Sequence, residues 1–239
     1  MTESAITAKP ASNPITAVWA SMIGKKIVMA ASGAVLVLFV LGHVVGNLKI
    51  FSGPEEINAY SRFLREVGYP EFAYGQLLWL IRGVLLLCVF LHITAAYQLT
   101  MINRRARPLD YTDKKNVETG WSALTMRWSG VLLIVFVIFH LLHFTLGAVG
   151  FDPGQFVHLA VYQNVVAGFA VWPIALFYIV AMACLCLHLN HGIWSAFQTL
   201  GWSNARNQRS LKIFSRIVAI LVFLGFSSVP VAVLAGWVR

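Results

Sequence analysis

The sequence predicts an all-α integral membrane bundle of five transmembrane helices, and two observations carry that prediction. The 239-residue chain is 59% hydrophobic and only 11% charged, with a mean hydropathy of +0.74, which is too apolar for a water-soluble domain. Five stretches also reach the length of about 20 apolar residues that crosses a bilayer as a helix. They are residues 27–49, 77–101, 128–149, 165–190 and 214–237. Helix is the expected form, because an open strand edge in lipid leaves backbone groups unpaired at several kcal/mol each. The whole chain, 1–239, reads as one membrane domain.

Residues 1–24 are polar and small, broken at Pro14, and lack an apolar core long enough for a signal peptide, so span one is expected to act as its own insertion signal. Lys25 and Lys26 precede it. After it comes "SGPEEINAYSRFLREVGYPEFAYG", residues 52–75. Ser52 has the look of a cap, Pro54 and two acids follow, and Ile57, Tyr60, Phe63 and Leu64 share one face before Gly68 and Pro70. This segment predicts a short amphipathic helix lying on the membrane surface. Between spans two and three, residues 102–126 are basic and polar, with Arg104, Arg105, Arg107, Lys114, Lys115 and Arg127 in or beside them. Such a segment suits lipid headgroups or a soluble partner. Arg206, Arg209, Lys212 and Arg216 lead into span five, whereas residues 128–205 contain no Lys or Arg.

That distribution explains the formal charge of +9. The basic segments fall on one side of a five-span chain, so the positive-inside rule places the N-terminus in the cytoplasm and the C-terminus outside. Basic residues here encode topology, and nucleic acid is not an expected partner. Cys88, Cys184 and Cys186 fall inside predicted spans, where a thiol acts as a small hydrophobe.

Histidines inside such spans need a reason, since ionisable groups in a membrane mark function. Span one contains "SGAVLVLFVLGH", residues 32–43, and span three contains "SGVLLIVFVIFH", residues 129–140. The two match at Ser-Gly, at the Phe four before the histidine, and at the histidine. Counting the helical rise puts His43 and His140 at one level in the outer half, and His92 and His188 at a second level in the inner half. Two imidazoles at one level on two helices are what a bis-histidine haem b requires. Two haems b are therefore expected. Gly33 and Gly130 lie about 15 Å inward of their histidines, near the second level, where a glycine admits a macrocycle or simply a neighbouring helix. His143 and His191 lie one turn from His140 and His188 and stay open as competing ligands or pocket contacts. His158 reads as a solvated loop residue.

The residues "GKKIVMAASGAVLVLFVLGHVVGN", "INAYSRFL", "LHITAAYQL", "RWSGVLLIVFVIFHLLHF" and "HLNHGIWSAF" resemble the cytochrome b membrane anchor of succinate dehydrogenases and fumarate reductases. The type resembled is the single-subunit one with five helices and two haems. His188, Gly192, Ile193 and Trp194 carry its most specific motif. The resemblance selects His188 over His191 and His140 over His143, giving an outer haem on His43 and His140 and an inner haem on His92 and His188. It implies flavoprotein and iron–sulfur partner subunits, electron transfer to a membrane quinone (menaquinone ahead of ubiquinone) and the bacterial cytoplasmic membrane. Higher oligomers of the whole complex are compatible with it. Some menaquinol-oxidising fumarate reductases carry a proton-conducting acid two positions before the fourth ligand; here Cys186 stands there.

A quinone needs hydrogen-bond donors and a proton-exchanging group, which gives two candidate sets. The outer one is Tyr60, Arg65, Glu66, Tyr74 and Arg82, and the inner one is Arg127, Trp128, Ser129 and Trp194. The same residue types also serve as interfacial anchors. Two other functions fit the histidines: the di-haem anchor of another membrane oxidoreductase, such as a hydrogenase or formate dehydrogenase, and a haem-free transporter.

Overall fold

A computed structural model describes residues 13–106 and 121–239. Among them the regular structure is helical. Five helices are long and apolar enough to cross a membrane, as the composition predicts.

A seven-residue helix, α1 (Pro14–Ala20), leads into α2 (Met22–Leu48). Ser21 makes the junction by accepting the Gly24 amide at 2.8 Å, a cap worth about 1 kcal/mol. Lys25 is buried at the same corner, where its ammonium donates to the carbonyls of Trp19 and Ala20. A single 3₁₀ turn, Lys49–Ser52, carries α2 into the surface helix α3 (Pro54–Glu66). Ser52 is not its cap. It belongs to the 3₁₀ turn, and Gly53, with φ of 101°, makes the corner before Pro54. Glycine accepts that backbone without the Cβ clash that a serine would bring. On α3, Ile57 is buried, but Phe63, placed on the same face by spacing, is 58% exposed. The side chain buried in its stead is Ser61.

Helix α4 (Gln76–Arg105) returns across the bundle. Helix α5 (Trp121–His140) follows and ends in one π turn, Leu141–Thr145. The linker predicted between spans two and three is shorter than its charge pattern suggests, because α4 runs on to Arg105 and α5 starts at Trp121; most of it lies outside the described residues. The fourth span also departs from the periodicity. The apolar run from 165 is two helices, α6 (Val161–Ala170) and α7 (Trp172–Thr199), divided at Val171. Pro173 explains the division, since it cannot donate to the carbonyl four residues back. Helix α8 (Gln208–Leu234) completes the chain and tolerates a buried Pro230, as membrane helices do when neighbours re-satisfy the freed carbonyl.

Small residues set the closest packing. Ala175 and Ala181 of α7 and Ser215 and Ala219 of α8 are all fully buried, so the two backbones approach closely, the usual basis of helix association in lipid. Helix α2 packs on α4 and α7, and α5 packs on α7. Among the described residues, the α4–α5 side lacks comparable packing. Helices α2, α4, α7 and α5 therefore surround a common axis, with α2 diagonal to α5 and α4 diagonal to α7. At one end α3 ties the bundle together: the Tyr162 amide donates to Asn58 Oδ1 at 3.1 Å, and the Tyr162 hydroxyl donates to the Arg239 carbonyl at 3.0 Å.

Candidate functional site

Each diagonal of the bundle carries one histidine pair. His43 of α2 faces His140 of α5 with ring centres 6.0 Å apart, and His92 of α4 faces His188 of α7 at 6.2 Å. These are the four histidines and the two pairings that helical depth predicts. Two imidazole nitrogens bound to one iron, each about 2 Å from the metal, hold their ring centres about 6 Å apart. The donor set thus fits a bis-imidazole iron. Among the described residues, no group of three or more His, Cys, Asp or Glu gathers as a protein-only metal cage would need.

One of the four rings has its tautomer set by a neighbour. His92 Nδ1 lies 3.1 Å from the Met29 carbonyl, which can only accept, so the ring proton is on Nδ1 and the Nε2 lone pair is free. Metal-binding histidines are oriented in this way by a second partner. His188 Nδ1 is buried with no hydrogen-bond partner. His43 has Asn47 beside it: the amide Nδ2 donates to the His43 carbonyl at 2.8 Å and lies 3.5 Å from Nε2.

The repeat seen in the sequence is a repeat in space. Phe39 stacks on His43 with ring centres 5.2 Å apart, and Phe136 stacks on His140 at 5.7 Å. Ser32 and Ser129 are both buried and donate back into their own helices, to the carbonyls of Val28 and Met126. A Cβ on Gly33 would meet His92 Cε1 at 3.1 Å, and one on Gly130 would meet His188 Cε1 at 3.8 Å. Each glycine of the repeat therefore faces the second-level histidine of the next long helix. The hairpins α2–α4 and α5–α7 are two versions of one unit.

His143 and His191 are placed differently. His143 is fully buried in the π turn, and its ring fills a space between two glycines. A Cβ on Gly168 would lie 2.7 Å from its Nε2, and one on Gly150 would lie 2.9 Å from the same atom. His191 meets Trp194 edge-on at 6.1 Å. His158 is exposed. The residue that sequence reading missed is Tyr178 of α7. Its hydroxyl lies 3.3 Å from His140 Nδ1 and 3.0 Å from His143 Nδ1. Its place ten residues before His188 was the available signal, because that distance reaches the level of the other pair.

The two quinone candidate sets do not converge as the histidines do. In the first, Tyr60 sits against Gly46 with the Lys49 ammonium 5.5 Å from its ring. Arg65 donates to the Ser61 carbonyl and hydroxyl, at 2.6 and 2.8 Å, and Arg82 lies over Trp79 at 4.8 Å. Glu66 and Tyr74 are exposed. An open depression of about 520 Å³ on α3, lined by Pro54, Glu55, Glu56, Asn58, Ala59 and Arg62, contains none of them. In the second set, Arg127 is exposed, Trp128 is 79% exposed and Ser129 is buried. Trp194 is the exception: its indole N–H is buried without an acceptor, and the Lys212 ammonium lies 4.7 Å from its ring.

A family described as the succinate dehydrogenase/fumarate reductase transmembrane subunit matches residues 101–226. The chain belongs to that family. It is thus the membrane subunit of an oxidoreductase complex, which implies the complex's catalytic subunits as partners, and a multi-pass membrane protein. Comparison with the curated proteins and with the solved structures gave no match. The matched segment includes α5 with His140, α7 with His188 and most of α8, whereas His43 and His92 precede it. Three of its features bear on the histidines directly: the pairing of His140 with His43, the pairing of His188 with His92, and Tyr178 between His140 and His143.

Proposed function

We propose that this transmembrane subunit is the two-haem, single-chain type, anchoring a succinate dehydrogenase in a bacterial cytoplasmic membrane. The observation that carries the reading is the pair of histidine diagonals, each with ring centres about 6 Å apart. Two bound haems b would supply one-electron carriers between the iron–sulfur subunit and a membrane quinone. His43 and His140 would hold the outer group, His92 and His188 the inner one. Met29 orients His92 by accepting its Nδ1 proton, and Phe39 and Phe136 stack on His43 and His140 and limit their rotation. Gly33 and Gly130 keep the backbone of α2 and α5 low beside the inner pair. The N-terminus and the α4–α5 linker face the cytoplasm, where the flavoprotein and iron–sulfur subunits dock, and the C-terminus faces outward.

Proton handling follows from where the acids are. All nine lie outside the five candidate spans by position, and Cys186 occupies the place where some relatives carry a proton-conducting acid. Quinone chemistry here exchanges protons with the nearer aqueous side. Reconstituted complex turning over without proton movement across the membrane supports this, and obligatory transmembrane movement through the subunit would refute it.

The quinone, menaquinone by preference, would bind at the outer set, with Glu66 as the proton-exchanging group and Tyr60, Tyr74, Arg65 and Arg82 as hydrogen-bond donors. Glu66→Gln should slow quinone turnover with haem content intact; unchanged turnover would remove Glu66. One observation keeps the inner set in play. The unpartnered Trp194 N–H can donate to a carbonyl, and Trp194→Phe tests that site by the same assay.

A further inference from the structure

We infer that Tyr178 is a positioning residue for the His43/His140 pair, fixing the proton on His140 and withholding His143 from ligation. The inference rests on the two-haem reading above. A tyrosine hydroxyl has one proton to donate and lone pairs to accept with, and this one has a histidine Nδ1 on each side, 3.3 Å away at His140 and 3.0 Å away at His143. If His140 presents Nε2 to a metal, its own proton is on Nδ1 and must be donated to Tyr178. Tyr178 then has a single direction left for its O–H, toward Nδ1 of His143.

That order settles the state of His143. Its lone-pair nitrogen is used by Tyr178, so its proton sits on Nε2, the atom enclosed against Gly150 and Gly168 with no acceptor among the described residues. His143 therefore has no free lone pair to offer, although it is one turn from His140. The surroundings leave Tyr178 no other choice. It is buried among Phe136, Phe144 and Phe169, with ring centres 5.1, 5.7 and 5.0 Å away, none of which can hydrogen-bond through a polar atom. A hydroxyl in such a place is held by the partners it has. The π turn is part of the device, because Leu146 donates to Leu141 at 3.0 Å and Ala148 to Leu142 at 2.8 Å, a widened end that carries His143 toward α7.

An acceptor on Nδ1–H raises the basicity of a ligating imidazole, which favours the oxidised metal. The test compares the purified complex containing the wild-type chain, Tyr178→Phe or His143→Gln by haem content, potentiometric titration and low-spin electron paramagnetic resonance. Tyr178→Phe should keep two haems, raise one midpoint potential, shift the resonance of that haem and leave the other alone. His143→Gln should also keep two haems. The inference is overturned if Tyr178→Phe changes neither potential nor resonance, if it loses both haems together, or if His143→Gln loses one. Fewer than two haems in the wild type would instead refute the two-haem reading itself.

Discussion

At the scale of single residues, the histidines differ in what their second ring nitrogen meets. Met29 accepts from His92, Tyr178 lies between His140 and His143, and His188 Nδ1 is buried without a partner. Replacing His92 by leucine should therefore remove one of two haems per chain and leave the other, as counted by pyridine haemochrome. Sequence spacing alone pairs the four histidines as the fold does, because depth along a helix is a matter of counting. The same count puts Tyr178, ten residues before His188, at the level of the other pair, but it does not say that a tyrosine there meets two imidazoles. Its role exists only once α7 lies beside α5.

At the scale of elements, the repeat supplies more than two histidines. Ser-Gly, Phe and His recur with equivalent contacts in α2 and α5, so the glycines should be intolerant of bulk for a reason specific to the second-level pair. Gly33→Val should disturb the haem held by His92, seen as a changed resonance or partial loss of one haem. Gly83→Val on α4, where a Cβ has open space, should not. Gly168 is tighter still, because its Cβ would reach 2.7 Å from His143 Nε2. Gly168→Ala should cost about 1–3 kcal/mol through overpacking, read as haem loss at a lower temperature. Element boundaries were less legible than element existence. Hydrophobicity does not register where Pro173 breaks the fourth apolar run, or that Gly53 rather than Ser52 turns the corner into α3, since both outcomes depend on backbone conformation.

At the scale of the whole molecule, five apolar runs of bilayer length were enough for the fold class, because lipid leaves helices little competition. Charge asymmetry gives the expected orientation. A phosphatase reporter that works only outside the cytoplasm should be active when fused after Arg239 and inactive when fused after Arg105. The reverse pattern would invert the topology and the docking face with it. The quinone site stayed illegible for a physical reason: Tyr, Trp and Arg collect at membrane boundaries whether or not they bind a ligand, and in the fold the candidate residues do not converge.

The central claim is that the two diagonals are two axial ligand pairs. Its most direct test is a dithionite-reduced minus oxidised spectrum of the purified subunit, with haem quantified against polypeptide. Two b-type haems per chain are expected, reduced in part by succinate when the soluble subunits are attached. One haem or none would contradict it, because at least one pair of facing histidines would then be packing alone.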